Sequence, residues 1–304
     1  MARSGKNGED DGTGSGKPRG RAGKPGSANT PKKRGKAEAG RSRTPAAAGG
    51  TKSTRNKKVS AKGGRTGKAP SPVAKQPWLK SYPKEIPAEI GPFSHDSLAD
   101  MMLESCRLYA DRPAFTCMGT SLTFSGLEKA SRDFAAYLQS IGLEKGARVA
   151  IMMPNVLQYP VVGMAALRAG YVVVNVNPLY TRRELEHQLA DSGAEAIIIM
   201  ENFAGTLQAA LGGSSLRHVI VATMGDMMGL KGHAINFAVR YVKRLVPPWS
   251  LPHISFKQAM REGAAARFAP PEVGLDDTAF LQYTGGTTGI AKGAVLLHRN
   301  VLAN

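Results

Sequence analysis

Between residues 283 and 294 the chain reads Tyr283-Thr284-Gly285-Gly286-Thr287-Thr288-Gly289-Ile290-Ala291-Lys292-Gly293-Ala294. Gly285, Gly286 and Gly289 permit positive φ and let the backbone approach a ligand closely. Backbone N–H groups in such a turn form a concave nest for anionic oxygens. The hydroxyls of Thr284, Thr287 and Thr288 add donors and Lys292 adds a positive charge, so this set suits the cradling of a polyphosphate. It is neither a Walker A loop nor a Rossmann glycine pattern. Walker A needs Gly-x-x-x-x-Gly-Lys-Ser/Thr, whereas the order here is Lys292-Gly293. Gly16-Lys17-Pro18 and Gly67-Lys68-Ala69 lack the hydroxyl residue and a flanking strand and helix.

A phosphate loop needs a strand to deliver it, and Asp277 to Tyr283 reads as one. Upstream, the pattern alternates strand and helix. Apolar runs at Ala147–Met153, Tyr171–Val176, Ala196–Met200 and His218–Thr223 read as strands, and the valine-rich second run suits burial on both faces. Val156–Ala169, Thr181–Ser192 and Phe203–Leu211 read as helices, with Gly170 and Gly193 as stops. This rhythm predicts an α/β fold with a mostly parallel, doubly wound sheet. Ahead of it lie a Pro-punctuated, extended stretch over Trp78–Phe93 and a helix opened by Ser97, capped by Ser94 or Asp96. A short hairpin over Ala114–Thr116 and Ser121–Phe124 follows, then a helix capped by Ser125 that runs to about Ile141. Residues 224–275 are less regular; Ala234–Val246 reads as an amphipathic helix carrying Arg240, Lys243 and Arg244.

Charge divides the chain. Residues 1–77 hold 20 Lys and Arg against 4 Asp and Glu, a net +16 of the chain's formal +18. That leader contains no Leu, Ile, Phe, Tyr or Trp. It cannot bury enough apolar surface to offset backbone ordering of about 1–2 kcal/mol per residue, and is expected to be disordered. A basic arm of this kind binds phosphates in a salt-dependent way, without aromatics for base stacking. Residues 78–304 are expected to form the folded domain. Cys106 and Cys117 have neither metal-ligand nor Cys-x-x-Cys spacing and read as free thiols of a cytosolic protein. The N-terminus lacks the apolar core of a secretory signal, and Val161–Val174, broken by Arg168, is too short to span a bilayer.

The segment from Tyr283 to Gly293 resembles the signature phosphate loop of the acyl-adenylate-forming, AMP-binding superfamily. The common form has Ser-Gly after the first Thr and Pro before the Lys; here those places hold Gly285-Gly286 and Ala291. Together with His298-Arg299-Asn300 and Leu302-Ala303-Asn304, the loop is similar to that of bacterial long-chain fatty-acid–CoA ligases. Further similarity lies in Trp78-Leu79, Tyr82-Pro83, Met153-Pro154-Asn155, Leu157–Pro160, Asn175–Tyr180, Arg183–Leu189 and Lys243–Pro247. Position 182, usually Pro in the family, is Arg182.

The resemblance implies the N-terminal domain of the adenylate-forming fold. It implies a reaction in which a fatty-acid carboxylate attacks the α-phosphate of Mg·ATP to give an acyl-adenylate and pyrophosphate, after which CoA thiolate displaces AMP. Tyr283 through Ala294 would be the ATP phosphate loop, Lys292 and the hydroxyls countering charge on the departing pyrophosphate. ATP, Mg2+ and CoA are the implied co-substrates and cation; no catalytic residue and no metal ligand is assigned within the chain. For Tyr180, Arg183 and His298 a packing role stands beside ligand contact. The partner readings are long-chain fatty acid, ATP and CoA, peripheral association with the cytoplasmic face of the inner membrane, non-specific nucleic-acid binding by the leader, and a homodimer. Two rival readings are a ligase for another carboxylate, and a non-catalytic binding protein with a degenerate adenylating half and a basic arm.

Family members carry further segments: the acidic Thr-Glu stretch that meets Mg2+ and AMP, the aspartate for the ribose, the hinge and a C-terminal domain with a catalytic lysine. None has a counterpart in these 304 residues, so the chain is read as an N-terminal fragment and the 304-residue polypeptide is expected to show no ligase turnover. Measurable oleoyl-CoA synthesis by the purified polypeptide would overturn that expectation.

Overall fold

A computed structural model describes residues 77–87, 90–285 and 291–304. The expected disordered leader falls, Pro77 apart, outside the described residues, and so do Gly286, Thr287, Thr288, Gly289 and Ile290 of the phosphate loop.

Among the described residues, seven strands make one sheet: β3 (Arg148–Met152), β4 (Val172–Asn175), β5 (Ala196–Met200), β6 (His218–Ala222), β7 (Ile254–Ser255), β8 (Thr278–Thr284) and β9 (Lys292–Leu297). Their spatial order is β7-β6-β5-β3-β4-β8-β9. Every neighbouring pair is parallel except β8 and β9. A separate antiparallel hairpin joins β1 (Pro113–Cys117) to β2 (Thr120–Thr123). The mostly parallel sheet agrees with the sequence reading. Strand β9 was not legible there: Gly293 lowers strand propensity, and no turn signal separates the short apolar run from His298.

Side chains alternate across the central strands, as the two-residue period of a strand requires. Val149, Ile151, Val173, Ile198 and Ile220 face one layer, packed against α1 (Leu98–Leu108), α2 (Phe124–Ser140), α3 (Gln158–Arg168) and α7 (Phe256–Ala265). Ala150, Met152, Val174, Ile197 and Ile199 face the other, covered by α4 (Arg182–Ser192) and α5 (Ala204–Ala210). Both faces are therefore dry, which explains the unbroken Val/Ile runs.

Helix ends are set by side-chain caps, and some differ from the sequence reading. The Thr181 hydroxyl and Glu184 form a capping box at the start of α4, and Gly193, at φ +61°, ends it as expected. Helix α1 is capped by Ser97 itself, whose hydroxyl accepts from the Asp100 N–H at 3.1 Å, in place of Ser94 or Asp96. Helix α2 is capped by Thr123, two residues before the expected Ser125, because the last residue of β2 already carries a hydroxyl aimed at the Gly126 N–H. At the start of the expected extended stretch, Pro77–Ser81 form a 3-10 turn. The expected helix over 234–246 is instead α6 (Gly229–Phe237), continued by a π-helical turn over Ala238–Val242.

Helix α8 (His298–Leu302) is tied to the start of α1: His298, 1% exposed, accepts the Leu98 N–H on Nδ1 at 3.0 Å. This resolves His298 as a packing residue. Burial holds its pKa below the ordinary histidine value, Asp277 drawing it upward and Lys145 downward. With the folded pKa depressed, the unfolded chain takes the proton first. The contribution of His298 is complete above the ordinary value of about 6.5 and is lost as pH falls below it toward the folded value. In urea titrations, the stability advantage of the wild type over His298→Gln should shrink between about pH 7.5 and about pH 5.5. A constant gap would show that the neutral imidazole is not what matters.

Candidate functional site

The carboxyl ends of β3, β4 and β8 converge on one cleft of about 490 Å³, lined by Asn155, Tyr159, Asn175, Asn177, Tyr180, Gln282, Tyr283 and Gly285, among others. The position follows from topology. The chain enters β4 from α3 on one face and leaves it through α4 on the other, then continues to β5 on the far side of β3. Such reversals open a crevice at the carboxyl edge of a parallel sheet, where ligands of doubly wound folds bind.

The floor is a chain of amides and a phenol. The Tyr159 hydroxyl donates to Asn175 Oδ1 at 2.9 Å, Asn175 Nδ2 donates to Gln282 Oε1 at 3.1 Å, and Gln188 Nε2 donates to the Asn175 carbonyl at 2.8 Å. Burial raises the Tyr159 pKa, against the lowering effect of its Asn175 bond. These bonds tie β4 and β8 to each other and to α3 and α4 without placing a charge there.

Helix α4 holds both ends of the loop. Asp191 Oδ2 accepts the Tyr283 hydroxyl at 2.5 Å, where the loop leaves β8. Four residues earlier, His187 Nε2 donates to the Ala291 carbonyl at 3.1 Å, where the loop meets β9. Residues four apart share one face of a helix, so a single rigid element sets the mouth. Desolvation, and then the bond to Asp191, push the Tyr283 pKa up and keep the phenol protonated.

The outer loop residues sort by position. Thr284 and Gly285 are exposed, Thr284 pairs across the hairpin with Lys292, and Lys292 and Ala294 are also exposed. Gly293 pairs with Tyr283. A Cβ on Gly293 would lie 2.9 Å from Tyr283 Cε2, so this glycine is required by the aromatic ring across from it. Tyr180 is half-buried and lines the cleft, whereas Arg183 is exposed on the first turn of α4. Arg182 lies there too, 3.8 Å from Glu186. His187 and Asp191 were not singled out from the sequence; their four-residue spacing inside Arg183–Asp191 is the signal that could have found them.

A family model described as AMP-binding enzyme matches residues 102–304, and the chain belongs to that family. Among curated relatives, a long-chain-fatty-acid–CoA ligase of Salmonella typhimurium is 57% identical over 233 residues, covering 76% of this chain and 42% of that protein. Its Yersinia pestis counterpart is 56% identical over 230 residues, covering 75% and 41%. One from Bacillus subtilis is 33% identical over 233 residues, covering 76% and 41%. The chain thus spans less than half the length of these relatives.

Solved structures share the fold. A long-chain-fatty-acid-CoA ligase from Archaeoglobus fulgidus matches with TM-score 0.55 at 23% identity, covering 72% of this chain and 40% of that one. An anthranilate CoA ligase in complex with anthranoyl-AMP matches with TM-score 0.57 at 18% identity, covering 70% and 37%.

Gly293→Val should force the Tyr283 ring out of its place and loosen the bond to Asp191. The expected loss is about 1–3 kcal/mol, read from chemical denaturation. Unchanged stability would show that the ring and the glycine do not depend on each other.

Proposed function

We propose that this chain is the phosphate-holding part of an AMP-forming long-chain fatty-acid–CoA ligase, with residues 78–304 belonging to the AMP-binding domain and residues 1–77 to a basic leader. One observation carries the reading. The two ends of a Thr/Gly/Lys segment, at Tyr283 and Ala291, are both held by α4 beside the cleft at the carboxyl edge of a doubly wound sheet. The kinship with long-chain-fatty-acid–CoA ligases supplies the substrate class.

In this reading the loop from Tyr283 to Ala294 receives the β- and γ-phosphates of ATP. Thr284 and Lys292 stand opposite each other at its base and counter charge as pyrophosphate departs. The fatty-acid carboxylate attacks the α-phosphate, forming an acyl–phosphate bond and breaking the bond to pyrophosphate. CoA thiolate then attacks the acyl carbonyl and AMP leaves. Among the described residues, the cleft lining contains amides and phenols but no carboxylate. These residues therefore do not form a Mg2+ site of their own; the cation would arrive with ATP, and no step is assigned to it. A peripheral position on the cytoplasmic face of the membrane suits a substrate that partitions into lipid. No helix among the described residues is long and apolar enough to cross one. The charge of residues 1–77 favours anionic surfaces, nucleic acid included.

The protein isolated from its source should convert oleate, ATP and CoA to oleoyl-CoA, AMP and pyrophosphate. Lys292→Ala should lower kcat by about a hundredfold while leaving the thermal midpoint nearly unchanged. Release of ADP and phosphate in place of AMP and pyrophosphate would refute the assignment.

A further inference from the structure

The connection between β6 and β7 carries large apolar side chains on its outer face. Small and polar residues help to seat it, beside the half-buried Ile235 and Val239. Gly232 is buried with its backbone against Gly225, so closely that a Cβ would overlap the Gly225 carbonyl. Asn236 Oδ1 accepts the Gly225 N–H at 2.7 Å, and its amide donates to the Thr223 hydroxyl at 2.7 Å. Arg240 pairs with the buried Glu201. Residues 232, 236 and 240 recur every four residues and seat the helix. The outward positions are apolar: Leu230 is 90% exposed, Phe237 and Tyr241 61% each. These also recur at helical spacing, and the Phe237 and Tyr241 rings lie 5.2 Å apart. Val242 and Leu245 extend the exposed surface.

Charge identifies what such a face meets. No Asp or Glu occurs between residues 227 and 261, while Lys231, Arg240, Lys243 and Arg244 crowd the segment. Protein interfaces deplete lysine at their centres. Exposed aromatic and aliphatic side chains bordered by Lys and Arg fit an anionic lipid interface. Glu201 directly follows the last residue of β5, so its pair with Arg240 fixes the segment at the carboxyl edge of the sheet, the edge on which the phosphate loop lies.

We propose that the outward face of residues 230–245 docks the protein on an anionic bilayer. Leu230, Phe237 and Tyr241 enter the boundary between headgroups and acyl chains, and Lys243 and Arg244 meet lipid phosphates. The proposal rests on the peripheral membrane position proposed for the ligase and adds the surface that makes it.

The test is co-sedimentation of the full chain with phosphatidylcholine vesicles, with and without phosphatidylglycerol. High salt screens the contribution of the leader. The wild type should stay bound to phosphatidylglycerol-containing vesicles in high salt. Phe237→Ser/Tyr241→Ser should weaken partitioning by about tenfold or more, and Lys243→Glu/Arg244→Glu should weaken it about as much at low salt. Both double variants should keep the wild-type melting profile, since all four side chains are exposed. A wild type that binds no vesicles overturns both the association and the surface. Wild-type binding with unchanged variants overturns the surface alone, as does a loss of self-association without a loss of vesicle binding. Acyl-CoA synthesis measured in detergent tests the ligase reading separately.

Discussion

The paired grip of His187 and Asp191 on the two ends of one loop is the constraint on which the site depends. A glycine- and threonine-rich turn has little to define its shape, because glycine adds freedom and the hydroxyls are short. Here the definition comes from outside. The Tyr283 phenol and the Ala291 carbonyl are both fastened to α4, and α4 is fixed by Leu185 and Leu189, neither of them exposed, beneath the sheet. The capping box at Thr181 starts that helix at a defined residue. The placing of the two loop ends, at Tyr283 and Ala291, is therefore a consequence of helix phase, four residues apart.

The same economy appears in the floor of the cleft. Asn175 makes three hydrogen bonds, to Tyr159, Gln282 and Gln188, joining α3, β4, β8 and α4. Neutral amides suit this place. A buried charge would cost desolvation and would compete with a polyphosphate for the positive groups above. The result is an uncharged base beneath the strand ends that carry Thr284 and Lys292.

Much of this was legible in the residues. The central strands announce themselves because both faces are dry, which gives the unbroken runs Val172–Val174 and Ile197–Ile199. Thr181 and Gly193 mark α4 at both ends, because a hydroxyl cap and a left-handed glycine leave local signatures. What could not be read depends on distant contacts. The bond from His298 to Leu98 spans 200 residues. The β9 pairing sets Gly293 against the Tyr283 ring, a contact that no local pattern announces. The early start of α6 reflects seating by Gly232 and Asn236, residues that carry no helical hydrophobic pattern. The five central loop residues lie outside the described residues, and their roles stand as proposed from composition and kinship.

Strand β9 has one further consequence. Its pairing with β8 is local in sequence and antiparallel, whereas every other pairing in the sheet joins strands separated by a crossover. Its Val295 side chain is 58% exposed. Local unfolding generally begins where few apolar contacts must be broken and the chain can re-pair without a long search. Hydrogen exchange should therefore divide the sheet into two cooperative units, a slow parallel centre that includes β8 and a fast β9 margin. Lys292, at the start of β9, belongs to the fast one, so it can detach and re-form its pairing while the scaffold beneath it stays closed.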